Sequence, residues 1–213
     1  FETPLGGAND DSNAYSVTVT ATDAGGLTDS TDVTINVSDV NEAPLLNIES
    51  TSTVNIAENT TLVGTYSVTD ADAGDTVSWS LTGDDASLFE INSSGELTFK
   101  SAPDFETPLG GANDDSNVYS VTVTATDSGS LTDSTDVTIN VSDVNEAPVL
   151  NSESIPTLSI AENTTAVSTY TVTDADAGDT VSWSLTGDDA FLFNISDSGE
   201  LTFKSAPDFE TPL

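Results

Sequence analysis

The chain has 213 residues, of which 37 are acidic and only Lys100 and Lys204 are basic, so its formal net charge is −35. This balance excludes nucleic acid as a partner, because phosphate contacts need Lys and Arg, and it argues against binding to anionic membrane surfaces. The absence of cysteine excludes disulfides and zinc–thiolate sites, and no apolar stretch approaches the roughly 18 residues that span a bilayer, so no membrane insertion is predicted for this segment.

The chain is a tandem array with a period of 104 residues. The sequence Phe-Glu-Thr-Pro-Leu occupies residues 1–5 and recurs at 105–109 and at 209–213. Residues 1–44 differ from 105–148 at three positions, and residues 45–108 differ from 149–212 at 13 positions. Self-similarity at a fixed period identifies repeated structural units. The repeats also argue against disorder, the other state open to so acidic a chain, because their apolar residues are regularly placed.

Within one period the apolar residues alternate with polar residues, as in strands that have one buried face. Trp79 and Leu81 show this alternation, as do Val121 and Val123, and we expect Trp79 and its counterpart Trp183 to fill the cores. Short strands separated by turns, in units of about 100 residues, are typical of an Ig-like sandwich. Seven strands are predicted for the complete period, near residues 52–57, 63–69, 76–82, 88–92, 96–100, 117–126 and 131–142.

The predicted fold is therefore all-β, with tandem seven-stranded Greek-key sandwiches. Residues 1–44 supply the last two strands of one repeat and its linker. Residues 45–148 form a complete repeat, and residues 149–213 supply the first five strands of a further repeat. Open half-sandwiches expose core edges and unpaired strands. We therefore predict that the C-terminal half of one molecule is completed by the N-terminal hairpin of the next, either in a head-to-tail array or along a longer chain.

The acidic residues gather at strand ends and between the repeats. The clusters lie at residues 57–59, 104–106, 143–148 and 174–176, and the Asp of Ala-Thr-Asp recurs at Asp23 and Asp127. In order and approximate spacing, these elements resemble the Pro-Glu-Asn, Asp-Arg-Glu, linker, Asp-Ala-Asp and final Asp motifs of cadherin repeats. Ala57 and Phe105 depart from the first two motifs. Glu42 and Glu146 replace a linker Asp, and Ala43 and Ala147 replace a linker Asn.

The resemblance covers the whole chain and implies extracellular sandwiches that hold Ca²⁺, about three ions per junction, between successive repeats. Carried over to this sequence, it implies these ligands at the first junction: Glu2, Asp39, Asn41, Glu42, Asp70, Asp72 and Asp127. At the second junction it implies Glu58, Asp104, Glu106, Asp143, Asn145, Glu146, Asp174 and Asp176, with Asp23 of the completing hairpin as the last ligand. The corresponding residues of the third copy are Glu162, Asp208 and Glu210.

The chemistry of these residues is consistent with calcium. Ca²⁺ takes six to eight oxygen ligands from carboxylates, amides and backbone carbonyls. Asp174 and Asp176 are two residues apart, so on an extended chain they point the same way and can share an ion. The other interpretation of any single pair is a solvated turn, because Asp and Asn favour turns. Without metal the carboxylates at a junction repel one another, so we expect bound ions to decide whether the linkers are stiff.

Other functional classes fit the sequence less well. Because the chain has no His and no Cys, it lacks the groups of Ser-His-Asp and Cys-His enzymes, and we expect no enzymatic activity. The loop at Asp70 is not an EF-hand, because Leu81 stands where the twelfth-position Glu belongs. Residues 110–114 resemble a glycine-rich calcium repeat but occur once per period, and a flexible loop is the other interpretation.

The predicted function is that of a calcium-rigidified spacer on the cell surface, whose partners are neighbouring repeats of the same or an identical chain. Nearly identical copies suit a spacer, because every contact between neighbours is then the same. The alternative is that the repeats themselves mediate homophilic or carbohydrate adhesion; reproducible binding in a glycan-array screen would favour it. The Ala-Glu-Asn and Asp-Val-Asn-Glu-Ala-Pro variants resemble the repeats of large bacterial surface adhesins more than those of animal junction proteins.

Overall fold

The computed structural model describes residues 13–47, 51–72, 74–110, 116–151 and 157–211, with the side chain of Thr51 excepted. The chain falls into two compact units, residues 1–142 and residues 143–213. Strands and two short 3-10 turns, Ala86–Leu88 and Ala190–Leu192, are the regular structure of the described residues. The prediction of an all-β fold is confirmed.

The strands of the first unit follow the predicted order. A hairpin comes first, then a short strand, then the strands of the sandwich. They are β1 (Ala14–Thr22), β2 (Thr28–Asn36), β3 (Leu45–Leu46), β4 (Thr51–Ala57), β5 (Leu62–Thr65), β6 (Val68–Thr69), β7 (Ser78–Thr82), β8 (Phe89–Ile91), β9 (Glu96–Phe99), β10 (Val118–Thr126) and β11 (Thr132–Ser142).

The sandwich has one sheet in the order β4-β11-β10-β7 and an opposing sheet in the order β5-β9-β8, with the short pair β3-β6 beside them. The predicted strand at 63–69 is two strands, because β5 pairs with β9 whereas β6 pairs with β3. β3 itself was not predicted. The first and last long strands, β4 and β11, pair in parallel, and all other pairs in the sandwich are antiparallel.

The core lies between the two sheets and follows from the alternation in β10 and β11. Tyr119, Val121 and Val123 of β10 point inward and are almost completely buried. Phe89 and Phe99 on the opposite sheet lie with their ring centroids 4.2 Å apart and their planes tilted by 39°, and Tyr119 meets Phe99 edge-on at 5.2 Å. Edge-to-face pairs are a favoured aromatic geometry. Trp79 packs against this core but is only partly buried, so it lines the core instead of filling it.

The N-terminal hairpin β1-β2 has the same strand pairing as β10-β11, but among the described residues it has no counterparts of the neighbouring strands β4 and β7. Its register, with Val17 opposite Val33, is that of Val121 opposite Val137 shifted by 104 residues. Val19 is 55% exposed, whereas its counterpart Val123 is 0% exposed, because no second sheet covers the hairpin among the described residues.

The second unit contains β12 (Val149–Leu150), β13 (Ala166–Thr169), β14 (Val172–Thr173), β15 (Phe193–Ile195) and β16 (Glu200–Phe203). They form the sheet β13-β16-β15 and the pair β12-β14. The stretches that correspond to β4 and β7, residues 157–161 and 182–186, are not strands, although five strands were expected in this copy. In the first sandwich β4 pairs with β11 and β7 pairs with β10, and the second unit contains no counterpart of that hairpin among its described residues.

Candidate metal centre

Two acidic groups meet where the linker after β2 reaches the sandwich. In the first group, one carboxylate oxygen each of Asp39, Glu42 and Asp72 lies within 4.8 Å of the others. Asp39 and Glu42 come from the linker, whereas Asp72 comes from the loop after β6. The backbone N–H of Glu42 donates to Asp72 Oδ2 at 2.8 Å, which fixes the linker against this loop. Residues that belong to two successive predicted repeats therefore converge.

The second group consists of Asp70, Asp75 and Asp127, whose carboxylate oxygens also lie within 4.8 Å of one another. Asp127 is buried at the end of β10, and its Oδ1 accepts a hydrogen bond from the Leu131 N–H at 2.7 Å. Its Oδ2 accepts a hydrogen bond from Asn41 Nδ2 at 2.8 Å. The linker residue Asn41 thus reaches the second group.

The two groups are adjacent because one loop carries both. The Asp72 N–H donates to Asp70 Oδ1 at 3.0 Å, and the Asp75 N–H donates to the carbonyl of Asp72 at 3.2 Å. The second bond closes a turn at Gly74, whose φ of +105° is a conformation that favours glycine. This turn brings Asp75 back towards Asp70.

Asp75 was absent from the predicted ligands. The Asp-Ala-Asp motif contains only Asp70 and Asp72. The available signal was the acid itself, placed one residue after a turn glycine and three residues after Asp72.

Two carboxylate oxygens in these groups suit a cation. Asp70 Oδ2 and Asp75 Oδ2 are shielded from solvent and have no hydrogen-bond partner among the described residues. A buried polar atom without a partner is costly, and more so when it carries charge. The two lysines of the chain donate to backbone carbonyls outside these groups: Lys100 Nζ to that of Ser87 at 2.7 Å, and Lys204 Nζ to that of Phe191 at 2.5 Å. A set of carboxylate and amide oxygens is the donor chemistry that Ca²⁺ prefers, so the residues fit this ion.

The linker approaches the β10-β11 turn very closely at Gly129. A Cβ atom on Gly129 would lie 2.3 Å from Asn41 Oδ1 and 2.7 Å from Asn41 Nδ2. No side chain fits there while Asn41 keeps its position. At the matching position of the N-terminal hairpin, Gly25, a Cβ would meet only Asp23 oxygens and carbon, the nearest at 3.3 Å.

Two further predicted ligands belong to different junctions, Glu2 to the first and Asp23 to the second. Glu2 lies outside the described residues. Asp23 lies in the turn between β1 and β2, where its Oδ1 accepts hydrogen bonds from the Gly25 and Leu27 N–H groups, both at 2.8 Å. Its role as the last ligand of the second junction stays a prediction.

The residues predicted for the second junction are divided between the two units. In the first unit Glu58 is buried, and its Oε2 accepts a hydrogen bond from the Phe105 N–H at 2.8 Å. Asp104 is exposed, and hydrogen bonds, above all the one from the Thr107 side chain, hold its pKa below the ordinary value. Glu106 is half-buried beside them.

In the second unit the local geometry of the linker recurs. The Glu146 N–H donates to Asp176 Oδ2 at 2.7 Å, and the Asp176 N–H donates to Asp174 Oδ1 at 3.2 Å. Asn145 Nδ2 donates to the carbonyl of Glu146 at 2.9 Å, as Asn41 does to Glu42 at 3.1 Å. Asp143 is exposed. A shared site at this junction stays a prediction.

A further acidic group lies inside the second unit. One carboxylate oxygen each of Glu162, Asp208 and Glu210 lies within 4.8 Å of the others, and all three residues are exposed. Glu162 Oε2 accepts a hydrogen bond from the Phe209 N–H at 3.0 Å, which repeats the contact of Glu58. Hydrogen bonds, first that of the Thr211 side chain, lower the pKa of Asp208.

The central sandwich is similar to domains of known proteins. Residues 52–142 match the family model of the cadherin domain. The chain is 37% identical over 153 residues to the protocadherin-like wing polarity protein stan of Drosophila melanogaster, an alignment that covers 65% of this chain and 4% of that protein. This chain therefore corresponds to a small part of that curated relative.

Solved structures agree with the fold. The protocadherin gammaB7 EC3-6 cis-dimer structure matches with a TM-score of 0.51 and 27% identity, over 93% of this chain and 52% of that chain. The structure of human CDH23 EC21-23 has a TM-score of 0.58 and 24% identity, over 93% of this chain and 66% of that chain, and supports the fold alone. Among the described residues, no helix has the length and hydrophobicity to cross a bilayer.

Proposed function

We propose, from the match of residues 52–142 to the cadherin-domain family model, that the chain is a set of calcium-rigidified extracellular spacer repeats of a cell-surface adhesin. The observation that carries the proposal is the convergence of linker and sandwich at one place. Asp39 and Glu42 meet Asp72, and Asn41 meets Asp127. Carboxylates from two predicted repeats, 1–44 and 45–148, can therefore share cations.

At the first junction, the linker contributes Asp39, Asn41 and Glu42. The sandwich contributes the side chains of its Asp-Ala-Asp loop and of the end of β10, which are Asp70, Asp72, Asp75 and Asp127. Bound Ca²⁺ would supply positive charge between these oxygens. The protein supplies the geometry, since the Glu42 N–H and the Asn41 amide hold the linker in place.

Electrostatics explains why the ion, and not packing, would set the stiffness. Two unit charges about 4 Å apart repel by about 1 kcal/mol in water and about 4 kcal/mol at an effective dielectric constant near 20. Six carboxylates occupy the two groups of the first junction. Each divalent ion offsets two of those charges, and about three ions would offset all six. If calcium were removed, the six carboxylates at this junction would repel one another and the linker would be less stiff.

The same proposal extends to the second junction and to the molecule as a whole. Its ligands would be Glu58, Asp104, Glu106, Asp143, Asn145, Glu146, Asp174 and Asp176, with Asp23 added by a completing hairpin. The partners are neighbouring repeats arranged head to tail. The extracellular location is proposed from the cadherin domain, and the bacterial adhesin origin from the Ala-Glu-Asn and linker variants of the motifs.

Small-angle scattering of the chain tests the proposal. We expect a larger maximum dimension and a stiffer particle in calcium than in chelator, and isothermal titration calorimetry should detect calcium binding. In Asp70→Asn with Asp75→Asn, the heat that belongs to the first junction should disappear. A maximum dimension that is the same in calcium and in chelator would contradict the spacer mechanism.

The matched control is Asp84→Asn with Asp136→Asn. This control also removes two negative charges from the sandwich, but at positions outside both acidic groups. The net charge of the chain therefore changes by the same amount as in the test variant. Asp84 and Asp136 are both exposed, and the Asp136 carboxylate accepts a hydrogen bond from the Thr122 hydroxyl at 2.6 Å. If this control lost calcium as the test variant does, general charge and not the site would account for binding.

A further inference from the structure

The two acidic groups of the first junction differ in where their carboxylates come from. In the first group, the linker supplies two of the three carboxylates, Asp39 and Glu42. In the second group, all three carboxylates belong to the repeat of residues 45–148, and they are Asp70, Asp75 and Asp127. The second group is therefore complete without a carboxylate from the linker.

The turn that brings Asp75 into the second group is encoded within one repeat. Residues 70–75 and 174–179 have the same sequence, Asp-Ala-Asp-Ala-Gly-Asp. The Asp75 N–H donates to the carbonyl of Asp72 at 3.2 Å, and the corresponding bond from Asp179 also measures 3.2 Å. The glycines of the two turns have the same φ, +105°. The same local sequence therefore gives the same turn in both units, which indicates that the repeat itself places Asp75.

The sandwich also holds the carboxylates of the second group in position. Asp127 is 5% exposed, and its Oδ1 accepts a hydrogen bond from the Leu131 N–H at 2.7 Å. Asp70 Oδ1 accepts a hydrogen bond from the Asp72 N–H at 3.0 Å. Asp70 Oδ2 and Asp75 Oδ2 are shielded from solvent but have no hydrogen-bond partner among the described residues. Buried charged oxygens without a partner are costly, and a cation between them removes that cost.

The first group, in contrast, depends on the position of the linker. Asp39 is exposed, and Glu42 is fixed by the bond from its N–H to Asp72 Oδ2 at 2.8 Å. An ion at this group must order the linker, and the ordering of a chain segment costs conformational entropy. An ion at the second group meets carboxylates from two segments of one folded repeat, so it does not bear that cost. Asn41 of the linker adds a hydrogen bond to Asp127 but no charge.

We propose that Asp70, Asp75 and Asp127 hold one Ca²⁺ as a site of the repeat itself, and that this site fills at lower calcium concentrations than the one shared with the linker. Asp75, which lies outside the Asp-Ala-Asp motif, is a ligand of this ion and not only a turn residue. A higher ligand charge increases the affinity of a calcium site. Calcium then has two separate effects, first on the stability of the repeat and then on the stiffness of the linker. The inference rests on the proposed function for the identity of the ion, but not on the linker ligands.

NMR of the carboxyl carbons tests the order of filling in the 213-residue chain. When calcium is added to the metal-free chain, the signals of Asp75 and Asp127 should change at about tenfold lower calcium concentration than the signal of Asp39. If all three signals changed together, one cooperative site would account for them and the proposal would be overturned. A change at Asp39 without one at Asp75 would overturn this inference alone, whereas no change at any of them would also contradict the proposed function.

Asp39→Asn with Glu42→Gln separates the inference from the proposed function. The double variant removes both linker carboxylates, so the stiffening at the first junction should be lost. The Asp75 signal should still change at the same calcium concentration as in the unchanged chain, because every ligand of the second group is retained. Loss of the Asp75 response would show that the ion depends on the linker and would overturn the proposal.

Asp75→Asn tests the ligand role of this residue. We expect the Asp127 signal to need about tenfold more calcium, and calcium to raise the melting temperature of the central sandwich by less than in the unchanged chain. In chelator the variant should melt no lower than the unchanged chain, because it removes one of three neighbouring negative charges. A structural role of Asp75 without calcium predicts a lower melting temperature in chelator, and that result would overturn the proposal.

Asp84→Asn is the matched control, because Asp84 is exposed and lies outside both acidic groups. It removes the same charge from the same repeat, so the calcium response of Asp127 should stay where it is in the unchanged chain. An equal shift in both variants would assign the effect to overall charge and would overturn the role of Asp75.

Discussion

Asn41 and Asp127 are 86 positions apart, and the amide of Asn41 donates to the carboxylate of Asp127 at 2.8 Å. This bond joins the linker after β2 to the end of β10 in the next predicted repeat. It depends on Gly129, because any Cβ atom at that position would overlap the Asn41 side chain. The backbone of the β10-β11 turn at Gly129 therefore determines whether Asn41 can reach Asp127 in the proposed calcium site.

Gly129→Ala should weaken the first junction without unfolding the sandwich. The new methyl group displaces Asn41, and the linker then loses its bond to Asp127. We expect calcium affinity at this junction to fall about tenfold, equivalent to about 1.4 kcal/mol, by titration calorimetry. Gly25→Ala is the control, because its Cβ meets only the Asp23 side chain, at 3.3 Å. Unchanged affinity in Gly129→Ala would contradict the role of this contact.

Asp174→Ala with Asp176→Ala should loosen the second junction. Asp176 Oδ2 accepts from the Glu146 N–H, and Asp174 Oδ1 accepts from the Asp176 N–H, so the double variant removes the anchor of the linker within the second unit. NMR relaxation should then show more independent tumbling of the two units in calcium.

The central sandwich is the internal reference for this variant. Neither substituted residue belongs to the unit that contains the sandwich, so its melting temperature should stay the same. Asp188→Ala with Asp197→Ala, at exposed positions in the same unit, controls for lost charge. Loss of the sandwich transition in the test variant would show that the two acids act on the fold.

Gly95→Ala should destabilise the central sandwich by more than about 2 kcal/mol. Gly95 has a φ of +77°, and a Cβ there would lie 2.1 Å from the carbonyl oxygen of Tyr66. The left-handed conformation alone costs about 1–2 kcal/mol for other residues, and the backbone clash adds to it. Urea unfolding measures the loss. Gly64→Ala, where a Cβ meets nothing within 4 Å, should change the free energy of unfolding far less.

Thr107→Val should raise the pKa of Asp104 towards its ordinary value of 3.8, because the Thr107 hydroxyl is the largest cause of its lowered pKa. A carboxyl group with a lowered pKa contributes stability that is fully present above its unfolded pKa. That contribution is lost as the pH falls through the folded pKa, here below 3.8. In Thr107→Val, the contribution of Asp104 to the free energy of unfolding should therefore depend less on pH below 3.8.

NMR titration of the Asp104 carboxyl carbon measures the change directly. Asp208, whose pKa is lowered in the same way by Thr211, is an internal control in the same sample and should titrate as before. If the pKa of Asp104 stayed low in Thr107→Val, the backbone N–H groups and not the hydroxyl would hold it.

Much of the fold was predictable because it depends on local pattern. The alternation around Val121 and Val123 identifies strands and their buried face, and the exact repeat defines the period. The acids Asp39, Glu42 and Asp72 were predicted as one junction, and the structure brings them within 4.8 Å. The order of the motifs along the chain predicted this grouping, because the repeat fixes the position of each acid relative to the strands.

Other features required the tertiary structure, because they depend on partners distant in the chain. Asp75 joins Asp70 only through the turn at Gly74, and the split between β5 and β6 follows from pairing with two different strands. Residues 157–161 and 182–186 have the strand pattern of β4 and β7, yet they are not strands in this structure. A strand takes its hydrogen bonds from its neighbours, so sequence alone determines which residues can form one, and the presence of the partner strand decides whether it forms.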